Sequence, residues 1–317
     1  MEKNSELYNL TQAAVSYLFQ AAAQNYQQKL SEEEQQQAQA AVPQLFQIRS
    51  GYAESPAWMM VQVMEFAPEP LTVEHFRKRA VYSGPELSRG LLELLASEGW
   101  LDRKGHQYFL TDAGRKIVDW FNERRTARLA GFEPLAADEI ETIVNLGGRI
   151  IDACLQADTP PGTWCIAHSR NRAPADDAPP LAKIVQYASD FNSFRDDAHM
   201  AAYGAHNVQG HVWEAFNYVV TEQANTVAAL YNKLAYRGFY TEDWQAAFND
   251  LQARDWIVVD NGAYQILEAG RAVFEDVERM TDTYFYVPWA VLSEVEYKQF
   301  VTLLQKLKDR SQKLVSQ

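Results

Sequence analysis

The densest run of chemically capable side chains in this 317-residue sequence is Phe191-Asn192-Ser193-Phe194-Arg195-Asp196-Asp197-Ala198-His199-Met200-Ala201-Ala202-Tyr203, followed by His206, His211, Trp213 and Glu214. On a helix turning 100° per residue, Arg195, Asp196, His199, Tyr203 and His206 share an arc of about 100°. Asp197 falls on the opposite face, which suits a structural role such as pairing with a neighbouring helix. Three chemistries fit the stripe. A buried ion-pair network would have Arg195 or His199 satisfy a carboxylate such as Asp282, because a buried charge needs a partner. A ligand pocket for an anionic or aromatic molecule would use Arg195 as a bidentate clamp and the aromatic residues as walls. Catalysis would use His199 as acid and base, and a metal site would use Asp196 and His199 as an i,i+3 ligand pair. His206 stands almost two turns from His199, about 10 Å along the axis, too far to share one ion without another segment, so no metal is expected. The sequence has no GxSxG, phosphate-binding loop, GxGxxG after a strand or HExxH, and it names no cofactor.

The elements that must carry these residues come into view when the chain is laid on itself with a shift of 156. Residues 95–123 then match 251–279 without a gap, with Leu95/Leu251, Trp100/Trp256, Tyr108/Tyr264, Ala113/Ala269, Gly114/Gly270 and Arg115/Arg271 identical. A repeat this long indicates two copies of one domain, since solenoid units run about 20–50 residues. Each copy predicts a helix ending at Trp100 or Trp256, then a β-hairpin turning at Arg103-Lys104-Gly105 or Asp260-Asn261-Gly262, then a long helix opened by Thr111 or Glu268. Asn-Gly tolerates positive φ and is a strong hairpin signal. Upstream, Ser83-Gly84-Pro85 and Gly238 each break a helical pattern in two, and Thr241 with Glu242 can cap the next helix.

Helix, turn, helix, hairpin and long helix is the order of a winged helix-turn-helix. Leu95, Gly99, Trp100, Leu110, Thr111, Gly114 and Arg115 resemble the MarR-like winged-helix family, with departures in the second copy at Leu267 and Asp255. The Arg195-x-Asp197-x-His199 helix, together with Glu278-x-x-Thr281-Asp282, resembles a bacterial subgroup in which such a helix precedes the winged helix. The resemblance covers roughly 55–130 and 210–283. It implies terminal helices that interleave as in a homodimer, a ligand bound between those helices and the reading lobes, and DNA contacts from the second helix of each motif and the hairpins.

The predicted fold is therefore mainly α with small β-wings, two winged-helix domains fused as an intramolecular pseudo-dimer. The N-terminal half spans 1–156, a Pro/Asp/Ala-rich linker 157–180, and the C-terminal half 181–317. Flanking helices are expected at 6–27, at 135–155 and at 292–314, with Ser31-Glu32-Glu33-Glu34 as a capping box for a further stretch up to Pro43. Trp164-Cys165-Ile166 gives the linker a core that packs on a surface. Cys154 and Cys165 fit no CxxC or Cys/His zinc spacing, and two cysteines cannot staple a chain this long, so they are read as free thiols.

Charge argues against the DNA role. Forty-two acids against 29 bases give −13, and the acids are spread along the whole chain. The first recognition segment, Gly84 to Glu98, carries Glu86, Glu93 and Glu98 against Arg89, and the second, Thr241 to Asp255, four acids against Arg254. Carboxylates beside phosphates weaken binding, and base readout relies on Arg, Lys, Asn and Gln. Any DNA contacts would fall to Arg77, Lys78, Arg79, Arg103 and Lys104. No apolar run reaches about 18 residues and MEKNSELYNL lacks a signal-peptide layout, so a cytoplasmic chain without membrane partners is expected. The expectation is thus a monomer that binds a small ligand through Arg195, Asp196, His199, Tyr203, His206 and Asp282, with weak or no DNA binding. A MarR-like DNA-binding regulator and a biosynthetic enzyme using Arg195 and His199 are the alternatives.

Overall fold

The computed structural model describes residues 5–29, 31, 60, 63–67 and 69–316. The predicted capping box at Ser31-Glu32-Glu33-Glu34 and the stretch to Pro43 lie outside the described residues. The described chain is mainly helical with two small antiparallel sheets. Among the described residues no helix is long and apolar enough to cross a membrane.

In chain order the elements are α1 (Ser5–Lys29), β1 (Leu71–Thr72), α2 (Val73–Arg79), α3 (Pro85–Ser97), β2 (Leu101–Lys104), β3 (Gln107–Leu110), α4 (Asp112–Leu129), α5 (Ala137–Leu155), α6 (Trp164–Arg170), α7 (Pro180–Gly204), α8 (Gly210–Val220), α9 (Val227–Leu234), α10 (Thr241–Ala253), β4 (Ile257–Asp260), β5 (Ala263–Ile266), α11 (Glu268–Tyr286) and α12 (Glu294–Val315), with short 3₁₀ turns at Ala235–Arg237 and Val287–Val291. They form two compact units that do not follow chain order. One takes Lys116–Ala198 and Asp282–Gln317 with α1, and the other takes the described part of Leu45–Arg115 with His199–Thr281. Both sequence halves therefore contribute to each unit.

The second unit holds the two helix-helix-hairpin segments, and the same local chemistry builds each. Thr72 caps α2 by accepting from His75 N–H at 3.1 Å, and Thr226 caps α9 by accepting from Ala229 N–H at 3.1 Å. Trp100 N–H donates to Leu95 C=O and Trp256 N–H to Leu251 C=O, after a left-handed residue that is Gly99 in one segment (φ 75°) and Asp255 in the other (φ 57°). Asp is among the few non-glycine residues that accept this conformation, which accounts for the departure at that position. The hairpins share a register, Leu101 opposite Leu110 and Ile257 opposite Ile266. A Cβ on Gly114 would stand 2.3 Å from Trp100 O, and one on Gly270 2.3 Å from Trp256 O, so both helices start against a tryptophan carbonyl where only glycine fits. Leu267 takes the place of Thr111, and its N–H still donates to Trp256 C=O as Thr111 N–H does to Trp100 C=O. The sheets differ in one respect: β1 pairs with β3, whereas beside β5 Asn225 contributes a single bond, accepting from Tyr264 N–H at 2.7 Å.

The two segments meet at their turns. Gly84 N–H donates to Arg237 C=O at 2.7 Å, and a Cβ on Gly84 would come within 2.4 Å of Gly238 O. Gly210, at the start of α8, packs on Val81, where a Cβ would stand 2.8 Å from the carbonyl oxygen. The core under the second segment is built from Phe216, Leu230, Trp244, Phe248, Leu251 and Trp256.

The first unit is a helical layer whose core includes Leu18, Ile143, Ile150, Phe191, Phe194, Phe285, Trp289, Phe300 and Leu304. The segment read as a linker contains α6, whose Cys165 and Ile166 are fully buried. Asp197 accepts from the backbone N–H groups of both at 2.8 and 3.0 Å. Its carboxylate caps α6, the cross-helix role its position on α7 suggested. Asp190, also buried, accepts from Ser169, Arg170 and Gln186, fixing the other end of α6. Both cysteines are free and buried, and burial pushes the Cys154 thiol far above its ordinary range.

Candidate functional site

Helix α7 carries the polar stripe and passes from one unit into the other between Ala198 and His199. This divides the predicted residues. In the first unit, Arg195 stands over the Tyr8 ring at 5.1 Å, and Tyr8 donates to Asn192, whose amide donates to Asp196 at 3.4 Å. Burial raises the Asp282 carboxyl above its usual range, and the Arg195 charge opposes that shift. Arg195 and Asp282 thus belong to one electrostatic neighbourhood, roofed by a tyrosine of α1.

In the second unit, both nitrogens of His199 are engaged. Trp213 Nε1–H donates to His199 Nε2 at 2.9 Å, and Nδ1 lies 3.1 Å from Thr281 Oγ1. An indole nitrogen only donates, so Nε2 must accept and the proton sits on Nδ1, directed at Thr281. Thr281 passes its own hydrogen to Val277 C=O at 2.8 Å. Tyr203 stacks on Trp213 with ring centroids 5.9 Å apart, and Phe274 stacks on it at the same distance. His206 sits 3.5 Å from Asp276 and edge-on to Trp256. Among the described residues no three His, Cys, Asp or Glu side chains gather as metal ligands.

Beside His199 the second unit contains a cavity of about 300 Å³, at the small end of ligand-sized volumes. His199 and Trp213 form one side, Glu214, Asn217 and Tyr218 of α8 another, and Tyr236 and Arg237 of the helix-turn-helix turn a third, with Tyr82 and Glu278 completing it. Of the six predicted ligand residues, His199 lines this cavity and Tyr203 backs its Trp213 wall. Arg237 donates from Nε and Nη2 to one oxygen of Glu214, at 3.1 and 2.8 Å. Its guanidinium lies over Tyr82 at 5.5 Å and Tyr236 at 5.0 Å. Glu214 is 8% exposed, and its other oxygen, Oε2, is buried with no hydrogen-bond partner. Burial raises the Glu214 carboxyl, and Arg237 pulls it back.

Sequence reading placed Glu214 beside the stripe but left out Arg237 and the tyrosines. A signal for them exists: Tyr82-Ser83-Gly84 and Tyr236-Arg237-Gly238 share a Tyr-x-Gly pattern at a shift of 154, two residues out of step with the longer match.

The predicted DNA contacts are distributed as follows. Arg79 pairs with the buried Glu65 at 3.2 Å, Arg103 with Glu93 at 2.5 Å and Lys104 with Asp102 at 3.3 Å. Arg77 has its Nε buried without a hydrogen-bond partner, and Lys78 is exposed. On α3, Glu86 and Arg89 face solvent, and on α10 Thr241, Glu242, Gln245 and Asn249 do.

No curated protein matches the chain, and no solved structure does. Residues 167–314 match the model of a helix-turn-helix family. That match, over the α9–α10 turn and its hairpin, gives this part of the chain a helix-turn-helix domain.

Proposed function

We propose that this chain is a MarR-like winged-helix protein made of two fused copies of one domain, 1–156 and 181–317 joined through 157–180, which binds a small molecule in the cavity beside His199 and does not read duplex DNA with paired recognition helices. The observation that carries this reading is the bond from Gly84 N–H to Arg237 C=O. Helix-turn-helix dimers contact base edges from the N-terminal residues of their recognition helices, set one helical turn of DNA, about 34 Å, apart. Here α3 begins at the residue after Gly84 and α10 three residues after Gly238, so the two N-termini lie within roughly 20 Å of each other. That spacing does not reach two successive major grooves. Glu86 and Glu242, exposed in the first turns of those helices, would also meet phosphates with like charge.

The regulator reading is favoured by the helix-turn-helix family match, and it makes the opposite prediction. A mobility-shift assay with a pool of random duplexes at low salt should give no retarded band at micromolar protein. A salt-sensitive complex at sub-micromolar protein would overturn the proposal in favour of the regulator. The enzyme reading gains no support from His199, whose two ring nitrogens are committed to Trp213 and Thr281.

A further inference from the structure

We infer that the molecule held beside His199 is an organic cation, an amine carrying a compact apolar or aromatic group, whose N–H donates to the Glu214 carboxylate. The inference rests on the ligand-binding reading above and names the class of ligand. Four observations support it.

The first is an acceptor without a donor. Glu214 lines the cavity and is more than nine-tenths buried, and while Arg237 takes its Oε1, Oε2 has no hydrogen-bond partner. A buried carboxylate oxygen left unpaired carries a desolvation cost that an incoming N–H would relieve. The second is charge. Among the described residues the lining contains the carboxylates of Glu214 and Glu278 and the guanidinium of Arg237. His199 adds no charge, since its Nε2 accepts from Trp213. The guanidinium that could have attracted an anion already points two of its donors at Glu214.

The third is the walls. Trp213, which lines the cavity, stacks with both Tyr203 and Phe274. Among the described residues, Tyr82, Tyr218 and Tyr236 bring phenol rings to the cavity. Two of them already lie under the Arg237 cation. Tyrosine faces attract cations through the ring quadrupole, and cages of them are a recurrent way to hold an ammonium. The fourth is size. About 300 Å³ suits a ligand of a single ring or less with a short amine arm.

The test uses three probes of one shape and different charge, benzylammonium, benzyl alcohol and benzoate, titrated into the full chain by calorimetry and followed by thermal melting. Benzylammonium should bind at one site and raise the melting temperature, with the alcohol and the carboxylate at least about tenfold weaker. Glu214→Gln should weaken benzylammonium about tenfold or more. Because that change also leaves Arg237 without its partner, Tyr236→Leu serves as a second variant. Tyr236 is 40% exposed, so its loss should spare the fold while weakening benzylammonium several-fold. Equal or tighter binding of benzoate or benzyl alcohol would overturn the cation inference and leave the ligand-binding reading standing. No binding by any of the three would remove both.

Discussion

His211 shows how a single side chain ties this fold to pH. Its ring stacks on Phe239 with centroids 4.7 Å apart and meets Trp244 edge-on at 6.3 Å. Burial holds its pKa below the ordinary 6.5, and the Arg77 charge adds to that, while Asp243 and Asp250 pull the other way. The folded state therefore favours the neutral ring, and on acidification the unfolded chain takes up the proton first. Stability present above pH 6.5 should be lost as pH falls through that value, and the loss from this group should stop once pH has passed the lower folded pKa. Glu214, Asp197 and Asp282 have raised carboxyl pKa values and act in the opposite sense, gaining stability as they protonate. The comparison that isolates His211 is urea unfolding of the wild type and His211→Phe at pH 7.5 and 5.5. The ring-for-ring variant should lose less stability between the two pH values. Equal losses would mean that the imidazole stays as accessible to protons when folded as when unfolded.

At the scale of the element, the parts fixed by local chemistry were legible in the sequence. Helix α3 runs Pro85–Ser97 and α10 runs Thr241–Ala253, inside the segments marked by Pro85 and Thr241. The second hairpin turns at Asn261 and Gly262, both at positive φ. What escaped was non-local. Glu214 and Arg237 sit 23 positions apart, Tyr82 comes from the other sequence half, and no periodicity connects them. The stripe on α7 was readable as a face, but a wheel diagram cannot reveal that the helix crosses from one compact unit to another, so that Arg195 and His199, one turn apart, have their partners in different units. The paired glycines were visible as identities without a reason, and the reason is steric. At Gly270 an added Cβ would sit 2.3 Å from Trp256 O, a backbone atom that cannot swing away. Gly270→Ala should cost about 1–3 kcal/mol in urea unfolding, the range for overpacking. Gly204→Ala, at the end of α7 with nothing within 4 Å of the new Cβ, should be neutral or gain up to about 1 kcal/mol. Equal effects at the two sites would remove the close approach as the reason for Gly270.

At the scale of the whole molecule, the pairing of α5 with α12 bears on the fused-dimer reading. The third residue of each helix is a glutamate that reaches back to the chain before it: Glu139 accepts from Ala136 N–H at 3.3 Å and Glu296 from Ser293 N–H at 2.8 Å. Each glutamate also pairs with a base on the other helix, Glu139 with Lys306 at 2.5 Å and Glu296 with Arg149. A shift of 157 carries Glu139 onto Glu296 and Arg149 onto Lys306, so each contact is the image of the other. Reciprocity of this kind, i touching j and j touching i, is the property of a twofold interface between identical chains. Within one chain it leaves that self-complementary patch already occupied. Light scattering coupled to size exclusion should therefore give a mass near the 36.1 kDa of one chain across the micromolar range. A stable species at twice that mass would mean that the patch is formed between chains, with Glu139 of one copy meeting Lys306 of another. The fused-dimer reading would then fail, whatever the cavity beside His199 binds.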